Sequence, residues 1–486
     1  MPTPMTSAPN RTSARPRPWA LTVALCLFTG ALAAHDVRPD FASEARAYLS
    51  AQAEASGFMG SVLVVEGGEV RLREGYGFAD LEHQVANTPD TVFRIGSISK
   101  SFTGALIQQL SSEGAVDLAA PVSGILDGLP QKWAPITLRH LLGHRSGILD
   151  LEDMPGYRET MTQPTRPDQT MRRFFEVPLR FPAGAHFEYS SSGYVLLAAV
   201  AEVVTGRPYE ELLRERVLDP MGLVDTGPER QETLVPHRAR GYTWGATGLE
   251  NAAYIHMSLP LGGGELLSTV DDMARWARGL ERGELLTGEA LEALLTPEPI
   301  VDADTRHEMG NVFGIDFAEG GYASGWAFGR QHGRPCRQHG GAINGFTGSL
   351  TRYPQDDVTV VVLSNVETYF TTLDIGVDLA AMLFGEPYTT PEPVPHIELP
   401  PGTLADYTGA YELRPGLDLT ISAEGAQLLA QLGDGPIEPI VPRSETEFSY
   451  RTNRMTITFL PGDGGPAPAL DLRVNPALEV RGRRTP

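Results

Sequence analysis

Apolar residues recur at helical spacing over much of the chain and at a spacing of two beyond residue 402. A helical pattern at 38–56 leads into two apolar runs, 61–65 and 70–72, which read as a hairpin about Gly67-Gly68. Leu106, Ile107 and Leu110 then mark a helix that Glu113-Gly114 closes. Mostly helical segments follow at 137–142, 171–175, 193–205 (ended by Gly206), 209–218 and 269–282, the last opened by a capping-box-like Ser268 and Asp271. From Asn311 the texture turns to strands, with 346–353 and 358–363 flanking a Pro354-Gln355-Asp356-Asp357 turn, before a return to helix at 370–384. A sheet with N-terminal and C-terminal contributions and a helical insert between them is an α+β layout.

Pro387, Pro391, Pro393, Pro395, Pro400 and Pro401 make 386–402 a stiff linker. Beyond it Leu417, Leu419 and Ile421, then Met455, Ile457 and Phe459, then Leu470, Leu472 and Val474 alternate with polar residues. Residues 403–486 therefore read as a small all-β domain, a barrel or sandwich, with 404–411 as its first strand. No internal repeat is visible. At the other end, Arg11, Arg15 and Arg17 precede an apolar run at 19–34 that closes on Ala31-Leu32-Ala33, the pattern of a secretory signal. That pattern predicts an exported protein, periplasmic or secreted, with no membrane contact beyond the signal segment. Removing 1–34 leaves 36 basic and 61 acidic residues, since three of the 39 basic ones lie in the signal; the balance is −25. Such a charge argues against nucleic acid or an anionic membrane as partner. Only Cys336 survives cleavage, so the mature chain forms no internal disulfide.

The charge census also exposes a candidate for chemistry. Of the 39 basic residues only Lys100 and Lys132 are lysine. Guanidinium stays protonated, whereas burial can drive an ammonium neutral. Lys100 stands one helical turn after Ser97, so an amine and a hydroxyl share one face at a helix start. This is a nucleophile–base pair, with a backbone N–H ready for a developing oxyanion. Action as a base at pH 7 requires a downward shift of roughly 3–4 units, or about 4–5 kcal/mol. Three more stretches carry candidate groups. Tyr189, in Phe187-Glu188-Tyr189-Ser190-Ser191, sits after a Pro182-Ala183-Gly184 turn and offers a phenol as proton relay. Gln338-His339-Gly340-Gly341-Ala342 reads as a strand in which His339 faces a cleft, the glycines admit a substrate backbone and Ala342 supplies a second oxyanion N–H. Leu261-Gly262-Gly263-Gly264-Glu265 reads as a turn of backbone geometry alone.

Ser97-x-x-Lys100, Tyr189-x-Ser191 and His339-x-Gly341, in that order, resemble the motifs of the serine β-lactamase and penicillin-recognising hydrolase family, notably its class C-like branch. His140-Leu141-Leu142-Gly143-His144-Arg145-Ser146-Gly147 is similar to the family's segment after the first helix. The resemblance spans about residues 40–385. It implies an antiparallel sheet flanked by helices, an all-helical lobe beside it and a site in the cleft between them, with Ser97, Lys100 and Tyr189 catalytic and Ser191, His339, Gly341 and Ala342 around the substrate. The tail resembles the lipocalin-like barrel of some D-aminopeptidase and esterase relatives. Ser191 stands where the family usually has Asn, and His339 where it usually has Lys; both changes weaken the grip on an acylamino carboxylate such as penicillin. The expectation is a cofactor-free, metal-free serine hydrolase that forms an acyl-enzyme with a small-molecule or peptide substrate. A class C-like β-lactamase and a sensor that acylates without turnover are the alternatives. His332, Cys336 and His339 have ligand-like spacing but more commonly pack separately than hold zinc.

Overall fold

The computed structural model describes residues 41–485 except 246–247, 392–396, 398, 434–436, 451–454, 463–464 and 476–477. The signal segment 1–34 and part of the proline-rich linker lie outside the described residues. All the described elements belong to the unit Arg38–Pro486.

An eight-stranded antiparallel sheet carries the first domain. Its spatial order is Glu298–Pro299, Asp316–Ala323, Trp326–Gln331, Arg334–Ile343, Phe346–Tyr353, Val358–Ser364, Gly60–Glu66 and Glu69–Tyr76. The N-terminal hairpin docks on the late strand Val358–Ser364, pairing Gly60 with Ser364 and Glu66 with Val358. These strands read as continuous apolar runs because both faces are covered. Val62, Val64, Val360 and Val362 pack with Phe41, Tyr48, Leu49, Ile375 and Leu379 of the helices Phe41–Ser56 and Tyr369–Phe384. Their alternates Leu63, Val65, Val361 and Leu363 pack with Ile98, Phe102, Met273 and Trp276 on the other face. Phe102 stacks on Trp276 with ring centroids 4.1 Å apart, and the Trp276 indole N–H donates to Ser101 Oγ at 2.9 Å. The helix Ser99–Ser112 is thereby clamped between the sheet and the helix Val270–Glu281. The residues between the two sheet contributions form a helical lobe around the apolar helix Ser191–Thr205.

Beyond the linker, eight strands from Gly409–Arg414 to Leu478–Arg484 close into a barrel with its own core, including Tyr411, Leu419, Ile421, Ile440, Phe448, Ile457 and Leu470. The expected first strand at 404–411 is corrected here. Pro401–Tyr407 is a helix, and the strand starts only at Gly409. Pro at the first helical turn favours that start, and Leu404 and Tyr407, three apart, bury on one face against the barrel. Tyr407 stacks on Phe459 at 4.1 Å. Two boundaries also move. Thr269, not Ser268, caps Val270–Glu281 by accepting the Asp272 N–H, while Ser268 ends the strand Leu266–Ser268. The helix expected at 171–175 lies at Pro167–Arg172, begun by its proline.

Candidate active site

Gly96, at φ +49°, turns the chain from the strand Phe93–Arg94 into the 3₁₀ turn Gly96–Ile98 and on into Ser99–Ser112. Ser97 sits in that turn and Lys100 in the first turn of the helix. Lys100 is 0 % exposed. Its Nζ lies 2.9 Å from Ser97 Oγ, 3.2 Å from Ser191 Oγ and 3.0 Å from the Gly263 carbonyl. Three partners suit both protonation states. An ammonium donates to all three; a free amine donates to Gly263 and Ser191 and turns its lone pair to the Ser97 hydroxyl. A proton can pass from Ser97 to Lys100 without rearrangement of the cage. Burial pulls the lysine pKa from 10.5 down to about 8, and the carboxylates of Asp150, Glu152 and Glu265 oppose the shift. The fall is smaller than base action at pH 7 demands on sequence grounds, because those three acids hold the charged form.

Ser191 opens the helix Ser191–Thr205, and its N–H donates to the Asp150 carboxylate at 3.2 Å. Its hydroxyl lies beside Lys100 and accepts from the amine. The Tyr189 ring centroid lies 4.9 Å from Lys100 Nζ and 4.3 Å from the His144 ring. His144 Nδ1 accepts the Ser190 N–H at 3.1 Å, so that nitrogen is unprotonated. Burial and the nearby Lys100 hold this imidazole neutral, far below its ordinary pKa.

His339 differs from the expectation of a cleft-facing, chargeable ring. It is 1 % exposed; Nε2 meets the Tyr322 hydroxyl at 2.9 Å and Nδ1 the Gly340 carbonyl at 2.5 Å. Burial, reinforced by Lys100, pushes its pKa down to about 3. The strand register put His339 on the site's face, but Tyr322 from the adjoining hairpin covers it. Gly341 has a packing role as well. A Cβ there would lie 2.0 Å from the Ile95 carbonyl oxygen and 3.2 Å from Ser97 N, so the glycine lets the nucleophile turn pack on the strand. The strand Trp326–Gln331 pairs with its neighbour only as far as Gln338, and residues 340–343 run on past it. Ala342 is exposed on that overhang, and a Cβ on Gly96 would sit 2.8 Å from Ala342 N. The turn that carries Ser97 thus packs against the backbone of Ala342.

His332, Cys336 and His339 are not gathered. His332 Nε2 meets the Val377 carbonyl at 3.0 Å, and Cys336 is buried in the core. Among the described residues the compact group with ligand-like geometry is Asp80, Glu82 and His83, on the surface. Sequence reasoning missed Gly263 as a lysine partner and Asp150, His144 and Glu265 as neighbours of the pair. A backbone carbonyl leaves no mark in a sequence; an acid inside an apolar Gly-rich stretch, as at Glu265, was the one available signal.

A serine beside a desolvated lysine, set between an antiparallel sheet and a helical lobe, defines the β-lactamase/transpeptidase class of serine hydrolase. The sequence matches the Beta-lactamase family over residues 46–380, and the chain belongs to that family. It is 26 % identical over 434 residues to penicillin-binding protein 4* of Bacillus subtilis, covering 84 % of this chain and 91 % of that protein. To the teichoic acid D-alanine hydrolase of Staphylococcus aureus it is 28 % identical over 315 residues, 65 % of this chain and 72 % of the relative. The octameric penicillin-binding protein homologue from Pyrococcus abyssi superposes with a TM-score of 0.62 at 24 % identity, over 90 % of this chain and 99 % of that one, a likeness of fold.

Proposed function

We propose that the protein is an exported hydrolase that cleaves an amide or ester through an acyl-enzyme on Ser97. The observation that carries this reading is the 2.9 Å contact between Ser97 Oγ and a lysine whose pKa burial has lowered to about 8. Ser97 Oγ attacks the substrate carbonyl carbon as its proton moves to Lys100 Nζ. The N–H groups of Ser97 and Ala342 hold the oxyanion. Collapse breaks the bond to the leaving amine or alcohol, which departs with a proton supplied from Lys100 through Tyr189. Water then adds to the acyl carbon, gives a proton back along the same route and frees Ser97.

A narrower reading concerns the acyl group. His339 is neutral, Ser191 Oγ accepts from Lys100, and the carboxyls of Asp150 and Glu152 lie near the pair. This favours a substrate with a free amine, such as a D-alanyl ester or amide, over one held by its carboxylate; one relative is named for hydrolysis of D-alanine from teichoic acid. The test is a panel of D-alanine p-nitroanilide, a p-nitrophenyl ester and nitrocefin, run on wild type and Ser97→Ala. Turnover of the first two by wild type, with a loss of at least about a thousandfold in the variant, is expected. A single stoichiometric burst without steady state would instead mark a sensor, and equal turnover by both proteins would place the nucleophile elsewhere.

A further inference from the structure

The turn of residues 262–264 presents the one backbone oxygen that holds Lys100, and a buried acid lies directly behind it. Gly262 has φ +78°, and a Cβ there would meet the Tyr194 carbonyl oxygen at 2.6 Å. Thr103, three residues after Lys100 on the same helix, donates to the Gly262 carbonyl at 2.6 Å. Its only proton is thus committed, so the Tyr209 hydroxyl, 2.6 Å away, donates to Thr103 Oγ1. Glu265 is 1 % exposed and braces the other end of the turn: its Oε2 accepts the Gly264 N–H at 3.2 Å. The backbone N–H groups of Gly262, Gly264 and Glu265 itself, and the Tyr209 hydroxyl, are the polar groups turned on this buried carboxyl. A carboxylate so deeply buried is costly in the ionised form.

Resting on the acyl-enzyme reading above, we propose that Glu265 is a positioning residue for Lys100: it fixes the glycine turn that aims the Gly263 carbonyl at the amine, and it adds its charge to those of Asp150 and Glu152 around that amine. Burial brings the Glu265 carboxyl up to about 7, and the N–H groups around it oppose the rise. The groups facing Glu265 are Glu210 and Tyr209 on the helix Tyr209–Leu213, Lys100 and Thr103 on Ser99–Ser112, and Glu229, whose N–H donates to the Glu265 carbonyl. Those facing Lys100 besides Glu265 are Asp150, Glu152, His144 and His339. As pH rises through 7, Glu265 gains a negative charge that favours the lysine cation, so deprotonation of the lysine is delayed.

The experiment follows the rate of Ser97 modification by a fluorophosphonate from pH 5.5 to 10 in the full-length protein. Glu265→Gln keeps an acceptor for the Gly264 N–H and removes the charge; its rising limb moves to lower pH by about half a unit or more. Glu265→Asp keeps the charge and withdraws the brace; its limb stays at the wild-type position while the plateau rate drops. A Gln profile that superimposes on wild type, or an Asp profile that shifts with it, overturns the proposal. Labelling that persists in Ser97→Ala overturns the acyl-enzyme reading itself, so the two failures are told apart.

Discussion

Burial lowers the Lys100 pKa from 10.5 to about 8, so the unfolded chain holds that proton more tightly than the folded one. The resulting penalty, about 3 kcal/mol, is present in full below pH 8 and fades between pH 8 and 10.5. Lys100→Met removes it and strands the Gly263 carbonyl, at a cost of about 1–2 kcal/mol. The variant is expected to be inactive and yet more stable than wild type at pH 7 by about 1–2 kcal/mol, with the gap closing toward pH 10. Urea denaturation at both pH values measures this; a variant less stable at pH 7, with a gap independent of pH, would contradict it. His339 makes a second expectation at this scale. With its pKa near 3 it is neutral throughout the working range, so KM for an uncharged ester carries no step from it between pH 5 and 8. A step in that window that disappears in His339→Gln would restore the charged role.

Three chain segments far apart in sequence converge on the lysine, and glycines permit two of the approaches. Gly262→Ala forces a side chain into left-handed backbone, worth about 1–2 kcal/mol, and pushes against the Tyr194 carbonyl. The expected result is a lower unfolding midpoint with slower fluorophosphonate labelling of Ser97, read on the same sample; unchanged labelling would show that the turn does not aim the Gly263 oxygen. The contact between Ser97 and Lys100 was legible in the sequence because both lie within one helical turn, where spacing alone places them. Ser191 and Tyr189 were legible from a helix start and a motif. The Gly263 contact was not, since it joins positions 163 residues apart through a backbone atom. His339 was half legible: strand alternation gives the face of a side chain, not whether Tyr322 covers it. Leu404 and Tyr407 stand three apart, a helical spacing, and burial against the barrel fixes them as helix where a strand was expected.

At the scale of the molecule the barrel closes on a core of its own beyond the proline-rich linker. Two cooperative units are therefore expected in a calorimetric scan, with Ser97 labelling lost in step with only one of them; a single transition would mean that the barrel and the hydrolase domain unfold together. The arginine-for-lysine usage of the chain has a separate consequence. With 37 arginines and two lysines, a sample grown on lysine enriched in ¹³C at Cε yields two side-chain resonances. Lys132, held by the Val177 carbonyl, supplies one line and the active-site amine the other. The protonation of the buried amine beside Ser97 can thus be followed by eye across a titration, in a protein of 52.6 kDa, without assigning any other signal.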